Sequence, residues 1–384
     1  MAKPSKSPAR KAPQRDRASA GQRIIKMASD VIETVRKHDD PFVDIPSRTL
    51  SNVRFNEKRG IIEMLEGSQR RFFFSLLGRR KGEGSQAKKF MQTVKVAEVC
   101  KRLIDEEVTT SLRDVFYNLK VPVKSSKELI FFDQSESDPI IEDIEVTVSA
   151  LREELGVHAE IKGNMVGPLT IIDNGNAIDL TGMGSGGWGV PSIVEPDVIS
   201  FSKCKAQFIL LIEKGAVWTR FNQDRFWDKH KCMLIHGGGQ PPRGVRRLIY
   251  RMHNELKLPV YVLVDNDPWG YYIYSVVKQG SINLVFESQR MAIPAARFLG
   301  MSSFDADRFD IPSQVPMPLT DEDRRRAREI REYPWFASKE WQKEIKHMEQ
   351  LGVKLELEAL SSKNFKFITE TYLPKKLKDN DWLD

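Results

Sequence analysis

At 384 residues and 44.0 kDa the chain is long enough for two or three domains, each with its own core. With 40% hydrophobic and 29% charged residues it has no run of about 18 apolar residues, which excludes a transmembrane helix, and its basic, proline-containing start lacks the apolar stretch of a secretory signal. Three scattered cysteines, Cys100, Cys204 and Cys232, make neither a disulfide framework nor a zinc site and fit a reducing cytoplasm; the net charge of +7, with a pI of about 9.1, favours a polyanionic partner.

Residues 1–21 carry Lys3, Lys6, Arg10, Lys11, Arg15 and Arg17 among Pro4, Pro8 and Pro13. Such a composition buries no core and predicts a disordered basic tail, suited equally to solubilising the chain or tethering it to a polyanion. Ile24, Ala28, Val31 and Val35 recur at helical spacing, so a first helix is expected up to about Lys37. Between 38 and 86 the periodicity is weak. Residues 53–56 and 61–65 read as strands and 79–84 as an exposed loop, and 22–86 are taken together as an N-terminal helical and extended region.

From residue 87 the pattern sharpens. Phe90, Val94, Ala97 and Ile104 mark one helix. Ser111 and Asp114 form a capping box for a short second helix that carries Arg113 and Tyr117. Ile140, Ile141, Ile144, Val148, Leu151 and Leu155 predict a third. Residues 158–161 and 169–172 read as a hairpin around Gly163 and Gly167. Three helices followed by a hairpin is the order of a winged helix, a DNA-binding relative of the helix-turn-helix, here placed at 87–173. The glycine cluster at 182–189 lacks the Lys-Ser/Thr that a Walker A loop requires, and 174–204 are taken as a linker with a hairpin. No P-loop occurs in the chain.

The remainder, 205–384, opens with three apolar runs. The first, residues 208–212, ends on Glu213 and Lys214. The second, 232–235, runs into His236 and three glycines. The third, 260–264, runs into Asp265-Asn266-Asp267-Pro268-Trp269-Gly270. Continuous apolar, β-branched runs read as buried strands of a parallel sheet, and ligand chemistry collects at the carboxyl ends of such strands. Asp265 and Asp267, one residue apart on extended chain, point the same way and suit Mg²⁺. Alone, Asp-Asn-Asp-Pro reads as readily as a turn capping the next helix; Glu213 at another strand end favours the metal. A helix through Ile273 and Val277, a strand at 282–286, basic helices at 323–331 and 340–351, an edge strand at 355–358 and a closing helix at 364–373 complete the prediction.

Tyr117 is the candidate nucleophile. A tyrosine hydroxyl titrates near 10, so only about one in a thousand is phenolate at neutral pH, and it needs a nearby cation or base to attack a phosphodiester. Arg113, one turn earlier on the same helix face, can hold a phosphate oxygen.

The acidic strand ends resemble the Toprim signature of topoisomerases and primases. Taken with Ser111-Leu-Arg-Asp-Val-Phe-Tyr117, Lys162-Gly163, Ile212-Glu-Lys214, Gly237-Gly-Gly-Gln-Pro, Arg246-Arg247 and the motif running from Leu263 to Tyr274, they give a closer likeness. The chain resembles the A subunits of type IIB DNA topoisomerase VI, in the archaeal form, and more distantly the meiotic protein that makes double-strand breaks. The likeness covers about 88–290 and is weaker on both sides. It implies an α/β multidomain protein: a catabolite-activator-like winged helix followed by a Rossmann-like Toprim domain with a C-terminal extension.

The resemblance further implies that Tyr117 becomes linked to a 5′ phosphate of cleaved DNA, assisted by Arg113. Glu213 and Asp265 would bind Mg²⁺, with Asp267 supporting it or taking a second ion. Lys162, Lys214, Arg246 and Arg247 would contact DNA. Two A subunits would pair within an A2B2 heterotetramer, the B subunit binding ATP, and the complex would relax or decatenate DNA in the cytoplasm at the nucleoid, or in a nucleus. Two departures stand out: His236-Gly-Gly-Gly239 replaces the family's usual Thr-Gly-Lys-Gly, leaving Gly238 without a basic side chain, and Gly215 stands where the family often has an acidic residue. The alternatives are a meiotic-type nuclease that does not reseal, and a non-catalytic DNA-binding scaffold.

Overall fold

A computed structural model describes residues 16–65, 67–74, 86–124 and 126–384. Of the predicted disordered tail, residues 1–15 lie outside the described residues, as does the predicted loop at 79–84; the tail's last residues, 17–21, are not disordered but open the first helix. The described residues divide into two compact units: those within 1–47, 67–160 and 195–200 form the first, and those within 48–66, 161–194 and 201–384 the second. No described helix is long and apolar enough to cross a membrane.

The first unit is built on helices. Helix α1 (Arg17–Arg36) starts where Asp16 accepts a hydrogen bond from the Ser19 N–H. It ends near the expected place, but the face it buries is Ala20, Gly21 and Ile24, while Val35 is exposed. Helix α2 (Gln86–Asp105) buries Phe90, Thr93, Val96, Ala97, Cys100 and Leu103, leaving Val94 outside. Helices α3 (Leu112–Leu119) and α4 (Gln134–Thr147) pack with it around one core. Helix α4 stops before Val148 and Leu155, which reach the same core from the turns beyond. Phe42–Pro46 pairs antiparallel with Gln69–Phe73, and Thr110–Ser111 pairs parallel with Val157–His158.

The predicted hairpin of 158–161 with 169–172 does not form. Val157–His158 belongs to the short parallel pair just named, and strand β1 (Asn164–Val166) joins a six-stranded sheet. Leu169–Asp173 pairs instead with Asn176–Asp179, across Asn174 and Gly175, both at positive φ. Asn-Gly is the strong two-residue hairpin signal, and it outranks the two glycines upstream. Gly163 and Gly167 answer a different need. Both have positive φ, and a Cβ at either would collide with a carbonyl oxygen, of His236 and of Cys232 respectively. They let the chain lie against a neighbouring strand. The glycine cluster at 182–189 is likewise packed rather than a loose linker: Trp188–Gly189 pairs with β1, and the Asn222 amide donates to the carbonyls of Gly184 and Ser185.

That sheet is the core of the second unit. Its order is Trp188–Gly189, β1, β3 (Cys232–His236), β2 (Phe208–Ile212), β4 (Val260–Leu263), β5 (Arg297–Gly300). Strands β3, β2, β4 and β5 are parallel, and β1 runs against β3. Helices α5 (Gly215–Gln223), α6 (Arg243–Leu256) and α7 (Pro268–Lys278) follow β2, β3 and β4. The three apolar runs are therefore the three adjacent central strands, and in register Ile212 lies opposite both His236 and Leu263.

Other expectations in this unit are corrected. Residues 282–286 are not a strand. They follow Gly280 at positive φ, bury only Val285, and turn into a 3-10 helix at Val285–Glu287; the sheet takes β5 instead. The strands at Val53–Asn56 and Ile61–Met64 do form a hairpin, but it belongs to the second unit, where the Ile62 N–H donates to the Gln279 carbonyl at 2.9 Å. Toward the C-terminus come helices α8 (Asp321–Arg331) and α9 (Lys339–Leu351). The edge strand is Val353–Lys354 rather than 355–358, because Leu357–Ser362 is a 3-10 helix. The closing segment is split into a π-helical turn at Ile368–Tyr372 and a helix at Leu373–Lys378.

Because Gly163 needs both its positive φ and its missing Cβ, Gly163→Ala is expected to lower stability by about 2 kcal/mol or more. Gly182→Ala, with open space around the added carbon, should be neutral. Thermal unfolding of the two variants checks this; equal midpoints would show that the strand contact at Gly163 is not tight.

Candidate active site and metal centre

The short helix α3 is set by its first turn. The Ser111 hydroxyl accepts from the Asp114 N–H at 3.1 Å, and the Asp114 carboxylate accepts from the Ser111 hydroxyl at 2.8 Å and its N–H at 3.2 Å. This is the capping box read from the sequence, and the bonds from Ser111 hold the Asp114 carboxyl below its ordinary range. Val115, Phe116 and Leu119 face the core, which leaves Arg113 and Tyr117 on the opposite, exposed face one turn apart. Tyr117 is 57% exposed, its ring resting 5.1 Å from that of Phe116. This large aromatic is left open on a helix that buries Val115, Phe116 and Leu119, so it is not part of the core.

In the second unit the parallel register of β2 and β4 puts Glu213 beside Asp265. The Glu213 N–H donates to the Leu263 carbonyl at 3.0 Å, and the Glu213 Oε2 accepts from the Asp265 N–H at 3.0 Å. Two carboxyl-terminal strand ends are thus stitched by one side chain. Asp265 is buried, with Oδ1 accepting from the Leu357 N–H at 2.8 Å and Oδ2 paired with the Lys214 ammonium at 2.9 Å. Asp267 caps α7, accepting from the Gly270 N–H at 2.6 Å, with Pro268 in the first turn. The capping reading of this turn is therefore correct for Asp267, and it does not displace the strand-end reading for Asp265.

Burial among like charges sets the electrostatics. Glu213 is pushed up to about 7, first by burial and then by the charge of Asp265. Asp265 rises to about 6 through burial, opposed by the Leu357 N–H and Lys214. Asp267 is raised by burial too, opposed by the Gly270 N–H. Among the described residues no three acidic, histidine or cysteine side chains already converge on one point. The donors are nevertheless hard carboxylate oxygens held in a partly buried site where proximity disfavours their joint ionisation. That set fits a divalent cation, which would relieve the repulsion.

Asn266, between the two aspartates, is held from behind. Its amide donates to the Tyr271 hydroxyl at 2.6 Å and the Met301 carbonyl at 3.3 Å. The Tyr271 hydroxyl donates to Glu344 at 2.7 Å, as does the Ser302 hydroxyl. Sequence reasoning missed Glu344 and the role of the 355–358 segment. The second had a signal in Leu355-Glu-Leu-Glu358, but nothing local says that this segment meets residues some 90 positions upstream.

The four expected DNA-contacting cations fare differently. Arg246 is 3% exposed and belongs to the interior, on the inward side of an amphipathic helix α6. Lys214 is engaged by Asp265, Glu356 and Glu358. Arg247 donates to the Arg290 carbonyl at 3.0 Å and lies over the Tyr250 ring. Lys162 is exposed, and its Cε lies 3.4 Å from where a Cβ on Gly238 would stand. The space above Gly238, where relatives are expected to carry a lysine, is thus covered by a lysine from another segment.

Comparison with known proteins matches these parts. Residues 208–377 match the family model for the Toprim domain shared by topoisomerase 6 A subunits and Spo11, and 88–157 match the model named for type IIB DNA topoisomerase. Residues 160–205 match the model for the all-beta domain of the DNA topoisomerase VI alpha subunit. The fold and these matches define the type IIB DNA topoisomerase class, with a Toprim domain of the kind that binds divalent metal ions. The chain is 36% identical to the A subunit of type 2 DNA topoisomerase 6 from Pyrococcus abyssi, covering 94% of this chain and 96% of that one. It is 37% identical to the counterpart from Hyperthermus butylicus (92% and 93% covered) and 33% identical to the A3 subunit of DNA topoisomerase 6 from Oryza sativa subsp. indica (96% and 79%). The chain belongs to the family of DNA topoisomerase 6 A subunits, the DNA-cleaving and rejoining subunits of type IIB topoisomerases. A nuclease that does not reseal fits these relatives less well.

The raised Glu213 gives a signed stability prediction for metal-free protein. Its proton is held more tightly in the folded than in the unfolded chain, so the associated stability is complete below about pH 4.5 and is lost as pH rises through about 7. Glu213→Gln keeps the acceptor for the Asp265 N–H and removes the charge. In chelator it should unfold at a higher temperature than the parent at pH 8, by the equivalent of about 1–3 kcal/mol, with the difference closing at pH 5. A lower midpoint at pH 8 would mean that the carboxylate is not strained by its neighbours.

Proposed function

We propose that Tyr117 attacks a DNA phosphodiester and that Glu213, Asp265 and Asp267 form the metal site serving that reaction. The Tyr117 Oη forms a bond to phosphorus, the bond from phosphorus to the 3′ oxygen breaks, and the proton lost by the tyrosine is balanced by one gained at the new 3′ hydroxyl. The break leaves a 5′-phosphotyrosyl link, so the phosphoester bond energy is kept and the reverse reaction reseals the strand without a nucleotide. Arg113, one turn away on the same exposed face, holds a non-bridging oxygen and offsets the charge that grows there.

Glu213 and Asp265 would hold Mg²⁺, with Asp267 supporting it or taking a second ion. When bound, the metal supplies positive charge to the phosphate oxygens. The observation that carries the reading is the joining of Glu213 to Asp265 at adjacent strand ends of a parallel sheet, in a chain that also presents an exposed tyrosine behind an arginine on a capped helix. Lys162 and Arg247 are proposed phosphate contacts. The helical part of the first unit is proposed to work as a winged helix. Two such chains are proposed to act with two ATP-binding B subunits, in an A2B2 complex located with the cellular DNA, ATP driving the conformational cycle.

The test is covalent trapping with supercoiled DNA, Mg²⁺, a candidate B subunit, plus a non-hydrolysable ATP analogue, followed by denaturation. Protein should be found on 5′ ends, and Tyr117→Phe should abolish it. Arg113→Ala should reduce trapping on the order of 10²-fold while changing DNA affinity far less. Trapping that survives Tyr117→Phe would assign the nucleophile elsewhere, and an equal loss of binding and trapping in Arg113→Ala would make that residue a simple anchor.

A further inference from the structure

Lys214 occupies an unusual position for a lysine beside a metal site. Its ammonium lies 2.9 Å from Asp265 Oδ2, 2.9 Å from Glu358 Oε2 and 3.2 Å from Glu356 Oε2. The three carboxylates are not alike. The Asp265 side chain is 7% exposed, while those of Glu356 and Glu358 are 49% and 45% exposed. One cation therefore bridges a buried acid and two solvated ones.

The two outer glutamates are held in place by backbone. Asn266 and Leu355 exchange N–H to carbonyl bonds at 2.8 and 3.1 Å, and the Leu357 N–H donates to the other oxygen of Asp265. The segment 355–358 is a strap across the aspartate motif, and it delivers Glu356 and Glu358 to the same ammonium. An ammonium is a compact charge on a flexible stem, able to pivot between acceptors without moving its backbone.

We propose that Lys214 is the resident counter-ion of Asp265, displaced when a divalent cation binds, and that Glu356 and Glu358 receive the displaced ammonium. The proposal rests on the metal-site reading of Glu213 and Asp265. Lys214 and the divalent ion compete for Asp265 Oδ2, since two cations cannot share that oxygen without strong repulsion in a partly buried site. The glutamates let Lys214 withdraw outward while staying paired. All three are positioning residues: they set how readily the metal enters without binding it.

The test reads metal binding rather than catalysis. Mn²⁺ is titrated into the full chain, with no DNA, and free Mn²⁺ is followed by electron paramagnetic resonance in about 0.5 M salt, where exposed charges are screened. Lys214→Met should bind Mn²⁺ about tenfold more tightly, the competing charge being gone, whereas Lys214→Arg should stay near the parent. The double variant Glu356→Gln, Glu358→Gln should bind several-fold more weakly when Lys214 is present, and the same double change on a Lys214→Met background should have no effect.

Unchanged or weaker binding in Lys214→Met overturns the proposal. So does a glutamate effect that persists without Lys214, which would make Glu356 and Glu358 metal ligands themselves. If Lys214→Met does not fold, the glutamate pair is tested on Lys214→Gln, with the same two outcomes. Failure of the underlying site is a separate result: Mn²⁺ binding untouched by Glu213→Gln and Asp265→Asn together would place the ion elsewhere.

Discussion

The bond from the Asp265 N–H to the Glu213 carboxylate is the interaction on which the site depends. It exists because β2 and β4 are adjacent and parallel, with Ile212 opposite Leu263. A shift of one residue in that register would turn every side chain of one strand to the other face and separate the two acids. Four strands buried on both faces hold the register, so the cost of bringing two carboxylates together is carried by the hydrophobic sheet beneath them. Leu210, Ile212, Leu263 and Leu234 are fully or nearly fully buried. Repulsion between Glu213 and Asp265 is the price of that arrangement, and it is what a cation at the proposed metal site would relieve.

Structure far along the chain completes what the strands begin. Glu344 on α9 accepts from Tyr271 and Ser302, and through Tyr271 it locks Asn266. The strap at 355–358 binds the same motif from the other side. Both aspartates therefore flank a residue that cannot rotate. Asp267 adds a third restraint, because a carboxylate that caps α7 is fixed by the helix N-terminus, where negative charge is favoured. The cap bond from Gly270 falls on Oδ1 of Asp267.

Much of this was legible in the sequence because its signals are local. Continuous apolar runs ending in Glu213, in His236 with its glycines, and in Asp265 marked the three central strands, and Ser111 with Asp114 marked the start of α3. The misreadings share a physical cause. Gly163 and Gly167 look like turn residues, but they are glycines because strand β3 comes too close for a Cβ, a tertiary fact with no local trace. Residues 282–286 have strand composition yet pair with no described strand and turn into a 3-10 helix. The lysine that covers Gly238 and the glutamates that surround Lys214 come from segments distant in the chain, and spacing along one chain says nothing about such meetings.

The placement of Lys214 bears on how the site stays ready for a metal. Burial raises the proton affinity of Asp265. A lysine held at 2.9 Å favours the ionised carboxylate against that burial. Burial works against the ammonium, but Glu358 and Asp265 more than offset it, so Lys214 keeps its own charge as well. The pair is thus maintained in its charged form, with the acid buried and the base linked to solvent through two exposed partners. Exchange of one cation for another at Asp265 then requires no movement of the sheet, only rotation of a single side chain toward acids that are already in contact with it.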